Sequence, residues 1–274
     1  MHLIRPINLV LIALIQILCF TVFCGESSIS SFILGVLFPT LLTAVSGYIV
    51  NNFFDLKKDE INGKPILSFF ETKTWLVLYL GLNLMALVLC FWQQNGLLLW
   101  VLSIQVLLFL YAYAFSNWLL VGNMVVAILA VSCVAILYLA KTVFCDFGQL
   151  WVLLISVFLV TMTREIIKDI EDMEGDKHCD SQTMPLVFGI KPALIIANIF
   201  LLCNVFFIFS WGYYAFWTVN IWATTLIALI SFCGIFILVY SFINKSKKKW
   251  RNISLLLKMY MLLGLMITPF LNAA

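Results

Sequence analysis

The chain has 274 residues, of which 64% are hydrophobic and only 11% charged. Its mean hydropathy is +1.10 and its formal net charge +3. Soluble domains carry about 45–50% apolar and about 25% charged residues, so a soluble core is excluded and lipid is the solvent for most of this chain. Nothing in the composition points to nucleic acid.

The first residues, MHLIRPINLVLIALIQ, lack a small-residue cleavage site and run straight into an apolar stretch. They read as a first membrane span, not a removed signal peptide. A span needs about 20 apolar residues to cross roughly 30 Å of hydrocarbon. Nine stretches qualify, at approximately 7–24, 32–54, 75–92, 97–115, 121–142, 150–167, 193–212, 219–243 and 253–271. Open strands cannot satisfy their backbone in lipid, so the expected fold is all-α. It is a polytopic bundle of nine transmembrane helices around a central cavity, one domain over 1–274.

With nine spans, the N-terminus and the even-numbered loops share a side. That side holds Arg5, Lys57, Lys58, Lys64, Lys73, Arg164, Lys168, Lys177, Lys191, Lys245, Lys247, Lys248, Lys249 and Arg251; only Lys141 lies opposite and Lys258 inside the last span. Cytoplasmic loops carry the excess of lysine and arginine. The expectation is a multi-pass protein of the cell (inner) membrane, with a cytoplasmic N-terminus and the C-terminus outside. The acidic residues follow the same split, with only Glu26 and Asp146 outside.

Two cytoplasmic loops, after spans two and six, carry most of the acids. They are four spans apart, which suggests two four-helix halves with a ninth helix appended. In "NNFFDLKKDE" (51–60), Asn51, Asp55 and Asp59 follow one another at four-residue spacing. On a helix they share a face. In "REIIKDIEDMEGD" (164–176), Asp172 and Asp176 repeat the spacing, with Asp169 one turn earlier. Aligned carboxylates repel unless a cation lies between them. Mg2+ takes hard oxygen ligands and is usually held by one or two carboxylates plus substrate phosphate. Two facing clusters suit two ions bridging one diphosphate. Arg164 and Lys168, four apart and leading into Asp172, with Lys57, Lys58 and Lys64 near the first cluster, supply cations for the same anion. Glu60, Glu71, Glu174, Asp180 and the run 245–251 read as solvated interface. A Glu165–Asp169 pair flanked by Lys168 is of the kind such an interface carries, but Lys168 and Arg164 are read as functional.

The eight cysteines (19, 24, 90, 133, 145, 179, 203, 233) form no CxxC, and His2 and His178 are the only histidines. They read as small apolar side chains, not as a zinc or iron–sulfur site. Cys24 and Cys145 share a side, and a disulfide between them is the one pairing to consider.

"NNFFDLKKDEIN" resembles the N-x3-D-x3-D signature of the UbiA superfamily of intramembrane prenyltransferases, and "DMEGD" its D-x3-D signature. Arg5-Pro6 matches the "RP" at the start of that family's first helix. The resemblance implies nine spans with the motifs after helices two and six. It also implies Mg2+ held by Asp55, Asp59, Asp172 and Asp176 on the diphosphate of an allylic isoprenoid, with Asn51 orienting the first cluster and Lys168 and Arg164 assisting ionisation. Asp169 and Lys64 are expected to contact substrate, and Tyr113, with Phe53, Phe54, Tyr48 and Tyr111, to shield the allylic cation. The partners implied are a prenyl diphosphate, a lipophilic acceptor and membrane lipids. Oligomeric state is left open.

"REIIKDIEDMEGDK" and "TMPLVFGIKPA" are similar to the digeranylgeranylglyceryl phosphate synthase branch, which geranylgeranylates geranylgeranylglyceryl phosphate in ether-lipid synthesis. Asn52 stands where that branch commonly has Asp, and Ser116-Asn117 where it has lysines. An aromatic acceptor of quinone biosynthesis, a hydroxybenzoate or dihydroxynaphthoate, is the alternative. A cation-binding transporter is the alternative from another class, disfavoured because the acids gather at one rim with none mid-span.

Overall fold

The computed structural model describes residues 6–23, 29–61, 73–93, 97–140, 150–179, 181–216, 221–243 and 248–270. The elements are α1 (Pro6–Phe23), α2 (Ile29–Phe54), α3 (Leu56–Ile61), α4 (Thr74–Gln93), α5 (Leu97–Tyr113), α6 (Val121–Leu139), α7 (Leu150–Glu171), α8 (Met173–His178), α9 (Met184–Phe188), α10 (Ile190–Phe216), α11 (Ile221–Ile243) and α12 (Lys248–Leu265). No strand occurs among the described residues. Helices are the only open-ended way to satisfy a backbone in hydrocarbon.

Among the described residues, eight helices are long and apolar enough to cross a membrane. The expected fourth span is the shorter α5 of 17 residues, so the count of nine is not confirmed. Helix rise makes α5 about 25 Å long. It stops at Tyr113 because the chain turns into a 3-10 segment, Phe115–Asn117. Elsewhere hydropathy ends before the helix does. α7 continues past the expected boundary at 167 to Glu171, carrying Lys168 and Asp169 in its last turn. Charged residues lengthen a helix into the headgroup region without registering as apolar. Arg5, Lys64, Cys24 and Cys145 lie outside the described residues. Cys19, Cys90, Cys133, Cys179, Cys203 and Cys233 are free thiols, as read from the sequence.

α2 packs against α4 and α5, and α7 against α6, α10 and α12; α1 closes the ring by touching α2, α6 and α12. Within α2, a π turn at Ile33–Leu37 precedes Pro39, which has no N–H to give residue 35. Large apolar side chains such as Phe91, Trp92, Phe206 and Phe232 face outward. The polar ones face inward and tie helices in pairs. Gln16 donates to Thr40 Oγ1 at 3.0 Å and to the Cys133 carbonyl at 2.8 Å, linking α1 to α2 and α6. Ser46 donates to Asn83 Oδ1 at 2.9 Å (α2 to α4), and Asn198 to Ser241 Oγ at 2.9 Å (α10 to α11). Tyr260 donates to Asn204 Oδ1 at 2.7 Å, tying α12 to α10. Such bonds contribute about 0.6–2 kcal/mol each in membranes.

Small residues set the closest helix crossings. A Cβ on Gly234 of α11 would lie 2.4 Å from Val205 Cγ2 of α10 and 3.3 Å from the Tyr260 ring, whereas one on Gly81 would meet nothing within 4 Å. Gly234→Leu is therefore expected to lower the melting temperature of the detergent-solubilised protein by several degrees. Gly81→Leu leaves it unchanged. Equal effects of the two substitutions refute this packing.

Candidate active site

Each acidic motif straddles the C-terminal end of a long helix in the same way. α2 ends at Phe54 and α7 at Glu171. The next residues, Asp55 (φ −88°, ψ 1°) and Asp172 (φ −91°, ψ 5°), adopt one sparsely allowed conformation, and a six-residue helix follows each. That bridge region is common at active sites. The i to i−4 backbone ladder survives the bend: Asp55 N donates to Asn51 O at 2.9 Å and Asp59 N to Asp55 O at 2.8 Å. Likewise Asp172 N donates to Lys168 O at 2.9 Å and Asp176 N to Asp172 O at 3.1 Å. The motif acids therefore stay one turn apart as their spacing predicts, but on short helices that tilt off the bundle.

α3 and α8, distant in sequence, pack on each other. Lys58 of α3 reaches across to Asp176 of α8, Nζ to Oδ1 3.2 Å, and donates to Asn117 Oδ1 at 2.6 Å. Asn117 is a junction. Its Oδ1 also accepts from Ser181 Oγ at 2.9 Å, and its backbone carbonyl accepts from Gln182 N at 2.8 Å. The turn that carries it fits only a glycine behind it, because a Cβ on Gly122 would stand 2.8 Å from the Phe115 carbonyl oxygen. Leu120 in the same turn has φ +57°, a strained value for a branched side chain.

Asn51 is buried and donates to Asp55 Oδ2 at 2.6 Å; its own Oδ1 has no hydrogen-bond partner. Arg164 and Lys168 converge on Glu165, which is 6% exposed: Arg164 Nη1 donates to Oε1, and Lys168 Nζ lies 3.7 Å from Oε2. Glu165 is thus an interior carboxylate, not the solvated surface charge that the sequence suggested. Asp169 accepts from Asn123 Nδ2 at 2.8 Å, which fixes it against the start of α6. Below these residues a cavity of ≈ 290 Å³ runs between the helices. Asn51, Tyr48, Tyr111, Arg164 and Glu165 line the end near the motifs, and Trp100, Val152, Trp211 and Ile267 its far end. Tyr113 does not line it. That ring is 63% exposed, stacked on Phe109 and edge-on to Phe54. One helical position separates it from Tyr111, and that rotation of about 200° turns it outward. Lys64 lies outside the described residues.

Sequence reading had not singled out Asn117 as a contact, nor Asn123, nor the reach of Lys58 to Asp176. Their signal was polarity inside apolar runs, but their partners are 46 to 118 residues away along the chain.

Among the described residues, no three acids, histidines or cysteines stand close enough to cage a metal unaided. The donor set still suits Mg2+, since carboxylates are hard oxygen ligands and this ion takes the rest of its shell from water and phosphate. Burial pushes the Asp176 carboxyl above its ordinary pKa, with Lys58 opposing the shift. A folded-state pKa above the unfolded one means that charging this group costs stability as pH rises through that interval. Asp176→Asn is therefore expected to melt no lower than the parent at pH 7 without metal, and to lose turnover. A metal-free melting temperature clearly below the parent's contradicts this.

Residues 13–262 match the UbiA prenyltransferase family. The digeranylgeranylglyceryl phosphate synthase of Methanosphaera stadtmanae is 32% identical over 276 residues, covering 96% of this chain and 95% of that protein. The synthase of Haloquadratum walsbyi is 34% identical over 207 residues, 74% of this chain and 71% of that one. A solved digeranylgeranylglyceryl phosphate synthase structure superposes with a TM-score of 0.75 at 24% identity, over 99% of this chain and 96% of that chain. A UbiA homologue from Archaeoglobus fulgidus, solved with DMAPP and Mg2+, gives a TM-score of 0.65 at 17% identity over 97% and 98%. With a family match over most of its length and a full-length relative at this identity, the chain belongs to the UbiA prenyltransferase family.

Proposed function

We propose that this prenyltransferase moves a geranylgeranyl group from its diphosphate to the free hydroxyl of geranylgeranylglyceryl phosphate, forming the second ether bond of an ether lipid. One observation carries the reading: α3 and α8 pack the two acidic motifs together, and Asn51 and Arg164, which lead into those motifs, line an apolar cavity. The full-length similarity to a digeranylgeranylglyceryl phosphate synthase supports the acceptor.

Asp55, Asp59, Asp172 and Asp176 would hold Mg2+, with Asn51 keeping Asp55 in place. Bound there, the metal neutralises the charge that builds on the leaving diphosphate. Lys58 and Lys168 add cationic N–H donors for the same oxygens. The C1–O bond breaks with its electron pair going to diphosphate. The acceptor oxygen bonds to C1, and its proton leaves with the products. The apolar cavity takes the isoprenoid chain and keeps water off the allylic cation. Along α7 the lining runs from Val152 to Glu165, about 20 Å at helix rise, which suits a chain of four isoprene units. The motif loops and the N-terminus face the cytoplasm, as the positive charges indicate.

The test is an acceptor panel with one labelled prenyl diphosphate, Mg2+ and purified protein, read by product mass. Transfer to geranylgeranylglyceryl phosphate is expected; transfer only to a hydroxybenzoate or dihydroxynaphthoate overturns the acceptor. Asp55→Asn and Asp172→Asn should each lower kcat/KM by about 100-fold or more while the fold survives, because each removes charge stabilisation from the transition state. Without a ready-made cage, Mg2+ titrated alone should bind weakly. It should bind at least about tenfold tighter beside a non-ionising prenyl diphosphate analogue, since metal and anion complete each other's shell. Tight binding of Mg2+ alone would show that the acids cage the ion by themselves.

A further inference from the structure

Lys57 and Lys58 are neighbours in α3 with different surroundings. Lys57 is exposed, whereas the Lys58 side chain is only 13% exposed and its ammonium sits at the contact between α3 and α8. A closed ring of contacts holds it there. Lys58 Nζ lies 3.2 Å from Asp176 Oδ1 and donates to Asn117 Oδ1 at 2.6 Å. Asn117 Oδ1 also accepts from Ser181 Oγ at 2.9 Å, and Ser181 N donates back to the Asp176 carbonyl at 3.1 Å. Gln182 N, donating to the Asn117 carbonyl at 2.8 Å, ties the same turn to the chain beyond α8 a second time. That turn keeps Leu120 at φ +57°, a strain that persists only where surrounding contacts over-determine it. A lysine is ordinarily a mobile point charge on a flexible stem. Here two acceptors, both from distant parts of the chain, fix where the charge stands.

We propose that Asn117 is a positioning residue for prenyl transfer: its amide oxygen anchors the Lys58 ammonium beside Asp176, so that this charge stays in the site and turns to the donor diphosphate when the carboxylate is given over to metal. This rests on the diphosphate site proposed above and names the residue that sets one of its cations. The two acceptors of Lys58 differ in kind. Asp176 belongs to an acidic motif, and a carboxylate oxygen that binds a divalent ion loses the lone pair that an ammonium would use. Asn117 offers a neutral amide oxygen outside both motifs, already steadied by Ser181. It is the anchor that remains. An ammonium has three N–H donors. Held by Asn117 through one of them, Lys58 keeps the others for anionic oxygens within reach of Asp176, which is where a diphosphate shared with the motif acids would lie. Without Asn117 the same lysine, released from Asp176, is free to swing out beside Lys57.

The test is direct binding to the full chain in detergent, with a non-ionising prenyl diphosphate analogue plus Mg2+ and, separately, with Mg2+ alone. Asn117→Leu should raise the analogue's Kd by about tenfold, the scale of one hydrogen bond to a charged group. It should raise KM for the prenyl diphosphate in proportion and leave the acceptor KM unchanged. Lys58→Met should raise the analogue's Kd at least as much, and adding Asn117→Leu to Lys58→Met should cost nothing further, because the two residues act through one ammonium. Mg2+ alone should bind Lys58→Met no more weakly than the parent, since the ammonium no longer competes for Asp176. If Asn117→Leu melts early, Asn117→Ala is read in its place, and Lys58→Met is compared with the parent regardless. The role of Asn117 is overturned by an unchanged analogue Kd in either single variant, by losses that add in the double variant, or by weaker binding of Mg2+ alone to Lys58→Met. A parent that binds no prenyl diphosphate analogue removes the diphosphate site itself. A parent that binds it while the two losses add removes the anchor alone.

Discussion

Negative charge cannot rest in hydrocarbon, yet this chain sets acidic motifs directly at the ends of two long apolar helices. The bends at Asp55 and Asp172 reconcile the two demands. Each long helix stays in lipid to its last turn, then the chain tilts and carries its acids across the bundle top on a short helix. The contact between those short helices depends on Lys58, which spans from α3 to Asp176 and Asn117. Without a cation there, Asp176 would be a buried carboxylate facing other carboxylates. Burial raises its proton affinity even with Lys58 in place.

The halves of the bundle repeat one another in the motif region and differ where the chemistry needs them to. Asn51, Asp55 and Asp59 occupy the positions of Lys168, Asp172 and Asp176, with the same backbone ladder and the same six-residue helix after the bend. Asn51 steadies its aspartate by a hydrogen bond, whereas Lys168 turns back to Glu165. Lys58 stands where the other half has Gly175, so only one half supplies the cation that reaches across to Asp176. Packing diverges as well. α2 rests on α4 and α5, while α7 rests on α6, α10 and α12. α12 closes the cavity on one side and brings Lys258 into it.

Inside the bundle, helices are joined by polar pairs rather than by an apolar driving force, because lipid is as apolar as leucine. Ser46–Asn83, Asn198–Ser241 and Asn204–Tyr260 each tie two helices, and Gly234 sets a close crossing beside the last of them. These contacts keep the cavity walls apart at a fixed width, which a greasy interior alone would not specify. The same reasoning explains the Asn123–Asp169 contact, which locks the start of α6 to the last turn of α7 just below the motif.

The sequence by itself determined the solvent, the all-helical class, most span positions, the two acidic motifs and the family. All of these rest on local properties: hydropathy over about twenty residues, spacing of four, and the sign of charge in loops. Helix ends were misjudged where charged residues extend a helix beyond its apolar run, as in α7, or where a turn cuts it short, as in α5. Only the tertiary structure decided which residues meet. It joined Lys58 to Asp176 and Asn117, drew Glu165 inside, turned Tyr113 outward in favour of Tyr111, and set Lys258 against the cavity. Those outcomes depend on how helices rotate and cross, which is fixed by packing between distant segments and leaves no periodic trace in the chain.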